Sequence, residues 1–345
     1  GPRWGSARDC GRGGKRSGAS RTVPAREGPR VRPLRSLAVL CLLATALARA
    51  DGPLPPGAAP AYREGQYRHQ PPRVEALRAD DSIHPALKAA ILRGRDLFTN
   101  TQQLRGSHVF NAMNCSSCHP GDGRRAWAGP VWPAATTLPD FRGKNGHVNT
   151  LEERIAGCFT YSMNGYPPAR DSEAMVALVA YHRWLATGAP VYERAIYGRG
   201  FRHLGTVIPE GTSRERGKAL YGRRCAQCHG AEGDGLVVDA RRLVPPLWGD
   251  RAYNWGAGMS RIFTAAAFIH LNMPFGEAGS LSAQDAWDLS LFINSHERPQ
   301  DPRYDGDARR TRARYRQFHR HTRYGTVVDG RLLGQHDNTG ARPAR

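Results

Sequence analysis

Two short stretches carry the residues most suited to chemistry: Cys115-Ser116-Ser117-Cys118-His119 and Cys225-Ala226-Gln227-Cys228-His229. In each, two thiols stand about one helical turn apart with an imidazole next to the second. That spacing lets both sulfurs form thioethers with the two vinyl groups of one porphyrin while the adjacent His reaches the iron, the pattern of c-type haem attachment. A zinc site would want further paired ligands, and a redox thiol pair has no need of the His. The chain is therefore expected to carry two covalently bound haem c groups, held by Cys115, Cys118 and His119 and by Cys225, Cys228 and His229.

Each iron then needs a sixth ligand or an open position. In the second half the candidates are Met273, Met259 and His270; Met273, before Pro274, is preferred, because thioether ligation raises the potential and suits an electron exit. In the first half the same offset from the proximal His lands on Met163. Its rival is Cys158, the thiol left over once both attachments have taken their pairs; a thiolate lowers the potential and is itself a nucleophile, but needs positive charge to stay deprotonated. Arg154 would lie one helical turn before it, and Arg142 and Lys144 are close in sequence. Spacing leaves two readings open: a Met163-ligated electron carrier with a structural Cys158, or a catalytic haem ligated by Cys158.

The elements that must position these groups repeat. Arg93-Gly94-Arg95-Asp96-Leu97-Phe98 precedes the first motif and Arg216-Gly217-Lys218-Ala219-Leu220-Tyr221 the second, each expected to close a helix leading into the attachment loop. Apolar residues at helical spacing predict further helices over Ser172–Ala186 (Met175, Leu178, Val179, His182, Leu185) and Ser282–Ser295 (Ala286, Leu289, Phe292, Ile293). The fold class is all-α: two cytochrome c domains over 80–190 and 212–300, a lead-in over 51–79, and a linker over 191–211 punctuated by Gly198, Gly200, Gly205 and Pro209. Trp127, Trp132, Trp248 and Trp255 are expected to pack the haem edges. His84, His108, His147 and His182, which lack ligand spacing, are expected to serve as surface or packing residues.

Composition bounds the rest. The 345 residues carry 50 Lys+Arg against 30 Asp+Glu, a formal charge of +20, and seven cysteines. Hydrophobic residues at 40% argue against wholesale disorder, and no run approaches the ~20 apolar residues of a membrane span, so no stable membrane anchor is expected. Leu37 to Ala48 form a short apolar run after Arg32 and Arg35 and before Ala48-Arg49-Ala50, which reads as a cleaved export signal in residues 1–50 and a periplasmic location; translation is expected to start at Val31. Cys10 and Cys41 fall in that leader. The basic tail, 301–345, holds seven arginines and no acid between Arg309 and Arg323; it is expected to be solvated, with docking to an acidic redox partner as the alternative and nucleic acid excluded.

From Asp80 to Pro299 the sequence resembles the dihaem, tetrathionate-forming thiosulfate dehydrogenases. The resemblance is carried by Met113-Asn114 before the first motif, Glu153-Arg154-Ile155-Ala156-Gly157-Cys158-Phe159, Ser162-Met163-Asn164-Gly165, Pro246-Leu247-Trp248-Gly249 and Asn272-Met273-Pro274. It implies that Cys158 is the distal ligand of an active-site haem, that Arg154 and Ser162 belong to the substrate pocket, and that a second pocket cation is Arg142 or Lys144. Some members carry Lys beside the second-haem Met; Asn272 stands there here, which implies a simple His229/Met273 pair. The implied reaction couples two thiosulfates to tetrathionate and sends electrons through the second haem to a soluble cytochrome or other periplasmic acceptor. The alternatives are a Sox-type cytochrome that transfers thiosulfate to a carrier-protein thiol, and a non-catalytic dihaem electron carrier.

Overall fold

A computed structural model describes residues 67–237 and 243–336. The leader 1–50, the lead-in up to residue 66 and the tail beyond 336 lie outside the described residues.

The first half opens with α1 (Val74–Ala79) and α2 (Pro85–Thr99). His84 caps α2 by accepting from the Ala86 amide, and Pro85 sits at its first position, where no amide proton is needed. The motif helix α3 (Cys115–Cys118) and α4 (Trp132–Thr137) follow, then a hairpin of β1 (Asp140–Arg142) and β2 (His147–Asn149), α5 (Leu151–Gly157) and α6 (Glu173–Leu185). Ser172 caps α6, whose Met175, Leu178, Tyr181, His182 and Leu185 are buried against α2. The second half repeats the plan with α7 (Arg214–Arg224), the motif helix α8 (Ala226–His229), a short hairpin β3 (Leu236–Val237) and β4 (Leu243–Val244), α9 (Ile262–Asn272) and α10 (Ala283–Ile293). Ser282 and Asp285 form a capping box on α10, which buries Ala286, Leu289, Phe292 and Ile293.

The repeated Arg-Gly pair marks the same helix crossing in both halves. A Cβ on Gly94 would run into the Ala177 carbonyl of α6, and one on Gly217 into the Asp288 carbonyl of α10, so only glycine allows each approach. In the second half Arg216 donates to both carboxylate oxygens of Asp288, at 2.7 and 3.0 Å, and fixes the crossing further. The second repeat does not close its helix: α7 begins at Arg214, capped by Ser213, so the pair lies in its first turn.

The linker between the halves is tied down. The Trp127 amide donates to Gly198 O at 2.8 Å and the Gly129 amide to Gly200 O at 2.9 Å, while Phe201 reaches the backbone beside Gly129.

The C-terminal segment corrects the expectation of a solvated tail. Helices α11 (Ala308–Arg314) and α12 (Arg316–His319) and a hairpin of β5 (Val327–Val328) and β6 (Arg331–Leu332) bury Ala308, Phe318, Tyr324 and Leu333. Tyr324 packs on Trp255, which serves this cluster rather than a haem edge; Trp132 lies in the first core, Trp248 stacks on His296, and Trp127 meets Tyr197. Five of the seven arginines are exposed, but Arg312 donates to the carbonyls of His319, Thr322 and Tyr324 and acts as a clamp. The segment is anchored at Asp301, fully buried, which accepts from Arg303 at 2.6 Å and contacts His319 at 3.0 Å. No helix among the described residues is long and apolar enough to cross a membrane.

Burial holds His319 below its ordinary 6.5, outweighing its contact with Asp301. Burial would raise the Asp301 carboxyl, but the Arg303 and His319 hydrogen bonds hold it well below the usual carboxylate range. On acidification the unfolded chain takes protons that the folded chain refuses, at His319 from about pH 6.5 and at Asp301 from about pH 4, so these two groups make stability fall as pH falls, by up to ~1.4 kcal/mol per pH unit for each. Thermal unfolding between about pH 7 and 2 checks this. Asp301→Asn should cost about 3–5 kcal/mol at neutral pH, because Arg303 loses its buried partner, and should flatten the acid limb.

Candidate active site

The first motif is held by local hydrogen bonds. Asn114 and Ser117 form a capping box on α3, and the Thr101 hydroxyl accepts from the Cys115 amide at 3.0 Å. The His119 Nδ1 is bonded to the Gly129 carbonyl, which fixes the ring and leaves Nε2 as the free nitrogen. An apolar slot follows, walled by Phe98, Val131, Leu151, Ile155, Phe159 and Leu178, with Cys115, Cys118 and His119 on its lining. Cys158 lines the same slot and lies within hydrogen-bond reach of His119.

Cys158 owes its place to α5. Thr150 and Glu153 form a capping box that starts the helix, and the chain then widens into one π turn over Cys158–Ser162. Such turns re-aim side chains at functional positions. Arg154, one turn earlier, donates from Nη1 to Cys158 Sγ at 2.9 Å. Burial alone would push this thiol up, as it pushes Cys115 and Cys118 to about 12. At Cys158 the Arg154 charge and His119 overcome burial and hold it at about 6. Met163, the rival ligand, also lines the slot and is 2% exposed, and no Lys or Arg stands within five residues of it in sequence. His182 lines the slot as well; its Nδ1 bonds Leu178 O, and burial lowers it to about 4.

Beyond Cys158 the slot meets a cavity of about 400 Å³, within the ~300–1,000 Å³ of small-molecule sites. Arg142, from β1, Lys144, Arg154 and Ser162 line it, so the structure brings together every pocket residue expected from sequence and admits both Arg142 and Lys144. Burial, with Arg154, lowers Arg142 to about 10; burial, with Arg303, Arg154 and Arg261, lowers Lys144 to about 7. The Lys144 ammonium donates to Gly256 O at 2.9 Å and lies over the Tyr161 ring at 4.0 Å. Sequence reasoning missed the rest of the wall: Arg261 and Thr264, at the start of α9, and Arg303, Tyr315 and Phe318, from the C-terminal segment. The lining contains no Asp or Glu.

In the second half the His229 Nδ1 bonds Pro245 O at 2.9 Å, the counterpart of the His119 anchor, and the Tyr221 hydroxyl donates to Gly230 O at 2.7 Å. Cys225 and Met273 pack against one apolar cluster that includes Tyr221, Trp248, Ile269 and Phe292, while Cys228 is exposed. Met259 lies against the core of the first half, away from this cluster, and His270 Nδ1 is bonded to Leu281 O, a carbonyl anchor like those of His119 and His229. The Asn272 side chain folds back to donate to Phe268 O. Each half thus offers two thiols, an imidazole anchored at Nδ1 and a further sulfur on the same apolar cluster, a donor set that fits haem c.

The His119 anchor gives a test. Gly129 has φ +62°, and a Cβ there would meet Phe201 at 2.7 Å and His119 Nδ1 at 3.3 Å. Gly129→Ala should therefore lower the haem-to-polypeptide ratio and perturb the haem absorption of the first half, and should cost about 1–3 kcal/mol of stability. Pyridine-haem absorbance and thermal unfolding measure the two effects.

The SoxA/TsdA cytochrome c domain family matches residues 93–191, and the family described as cytochrome C oxidase, cbb3-type, subunit III matches residues 212–293. The chain is 44% identical over 275 residues to the thiosulfate dehydrogenase of Stutzerimonas stutzeri (strain A1501), covering 79% of this chain and 86% of that one. It is 38% identical over 310 residues to that of Thiomonas intermedia (strain K12), covering 90% and 96%. The solved thiosulfate dehydrogenase (TsdBA) of Marichromatium purpuratum superposes with a TM-score of 0.73 at 46% identity, over 79% of this chain and 59% of that chain. Two cytochrome c domains, and haem c binding with them, are thereby established, and the chain belongs to the thiosulfate dehydrogenase family.

Proposed function

We propose that this protein oxidises two thiosulfates to tetrathionate at Cys158, in the periplasm after export through its leader, and delivers the electrons to an external acceptor such as a soluble cytochrome. One observation carries the reading. A partly buried thiol, hydrogen-bonded by Arg154 and facing His119, opens onto a cavity walled by cations and free of carboxylates. Two haem c groups would be held covalently, one by Cys115, Cys118, His119 and Cys158, the other by Cys225, Cys228, His229 and Met273. Haem c, when bound, accepts electrons singly and passes them from the first site through the second.

The residues of the chain divide the remaining work. Arg154 keeps Cys158 in its thiolate form and, with Arg142, offers planar multi-donor recognition to a sulfonate, which an ammonium cannot match. Ser162, which lines both slot and cavity, supplies a hydroxyl to the same group. The terminal sulfur of the first thiosulfate bonds to Cys158 Sγ: a thiolate and a dianion lose two electrons and leave a cysteine-bound S–SO3 group with one negative charge. The second thiosulfate attacks the sulfur next to that sulfonate. The bond to Cys158 Sγ breaks, the thiolate returns, and tetrathionate departs with two negative charges.

A non-catalytic carrier would use Met163 and Met273 and give no role to the cationic cavity, and a Sox-type transferase would need a carrier-protein thiol as acceptor. Purified holoprotein with an artificial electron acceptor separates the three. Wild type should form tetrathionate unaided, whereas Cys158→Ser and Cys158→Gly should abolish it with the haem-to-polypeptide ratio unchanged. A variant that retains near-wild-type turnover would exclude the cysteine mechanism.

A further inference from the structure

We propose that Arg261 and Thr264, which line the same cavity as Lys144, form a second oxyanion site that holds the incoming thiosulfate while the first is bonded to Cys158. This rests on the reaction proposed above and adds to it a residue pair from the second half of the chain.

Three observations converge. Arg261 precedes α9 at its N-cap position without a capping bond; its guanidinium lies over Phe263 at 5.0 Å and Phe318 at 5.6 Å, and its one hydrogen bond, to Gly258 O, is long at 3.5 Å. It has no carboxylate partner among the described residues, although burial makes a lone charge expensive. Thr264, one turn further on and on the same cavity wall, is 2% exposed, and its hydroxyl has no hydrogen-bond partner. A buried donor without an acceptor is uncommon and points to a group that arrives. An oxyanion against this wall would give Arg261 and the Lys144 ammonium a counter-charge and bring an acceptor to the side of the cavity that Thr264 lines.

Charge balance supplies the third observation. Of the five cations on the wall, Arg303 is neutralised by Asp301, which leaves Arg142, Lys144, Arg154 and Arg261 without a carboxylate among the described residues. Four positive charges exceed what the singly charged cysteine-bound S–SO3 group needs and suit an incoming dianion beside it. Arrival of the second dianion favours the charged form of Lys144, since an opposite charge close by stabilises it. The attack leaves the total negative charge unchanged, since the singly charged adduct and the dianion become the thiolate and tetrathionate, but it spreads the two charges of the product over two sulfonates. Arg154, in contact with Cys158, belongs to the first site; Arg261 enters the wall from another part of the chain and is free to serve the second.

The test uses holoprotein with thiosulfate and an artificial acceptor, and reads three quantities: electrons delivered and polypeptide mass after a single stoichiometric addition of thiosulfate, and the thiosulfate concentration that half-saturates turnover. In Arg261→Gln the first addition should still deliver two electrons and leave one S–SO3 group on the polypeptide, while the half-saturating concentration rises about 10-fold or more, the loss expected for a charge-assisted hydrogen bond. Arg261→Lys should fall between this variant and wild type. Thr264→Val, which keeps the side-chain shape, should raise the half-saturating concentration several-fold and guards against a folding defect at Arg261. Unchanged half-saturation in both Arg261→Gln and Thr264→Val, or loss of the first adduct in step with turnover, overturns the second site alone. Wild type that forms neither adduct nor tetrathionate overturns the underlying reaction, and the site with it.

Discussion

The 2.9 Å hydrogen bond from Arg154 to Cys158 is the contact on which the first half depends. A buried thiol left to itself becomes a poorer acid, as Cys115 and Cys118 do, and would be neither a nucleophile nor a strong ligand. Arg154 reverses that only because it is not itself claimed by a carboxylate; in a chain with 30 acids, keeping them off one wall is a requirement on every segment that reaches it. The turn spacing that joins the two residues comes from a short, well-capped helix, and the π turn after it lets Cys158 face His119 while Ser162 reaches the cavity.

Assembly of that wall is non-local. Arg142 and Lys144 come from a hairpin in the first half, Arg261 and Thr264 from the start of α9, and Arg303 from the C-terminal segment that Asp301 and His319 anchor. The aromatic rings of Tyr161 and Phe318 sit between cations that would otherwise repel, and each receives more than one of them on its face. The cost of gathering positive charge is thus spread over ring faces, the Gly256 and Gly258 carbonyls and the Asp301–Arg303 ion pair.

How much of this could be read from sequence follows from distance along the chain. The attachment motifs, the Ser172 and Ser282 caps and the buried faces of α6 and α10 are local patterns, and they are in place in the structure. Being left over by the two motifs made Cys158 a candidate beside Met163, and only the family resemblance favoured it. Arg261 could not stand out, since arginine is abundant throughout this sequence and nothing within a few residues marks it. The C-terminal segment misled for a related reason: a run of arginines reads as solvated, and the buried Ala308, Phe318, Tyr324 and Leu333 that fold it are too widely spaced to form a local pattern. Thr264 is legible only as an orphaned hydroxyl, which is a property of packing.

The linker that pairs with the loop around Trp127 and Gly129 has a consequence for how such chains can be recombined. By sequence the two halves look like interchangeable modules. Phe201, however, stands against the glycine whose carbonyl steers His119, so the segment leading into the second module is a structural part of the first. A chimera cut at the boundary between repeats would separate the motif imidazole from its outer support, whereas a graft that carried residues 198–201 with the first half would preserve it. The usable seam in this two-domain architecture lies downstream of that contact, closer to Ser213 than to the end of α6.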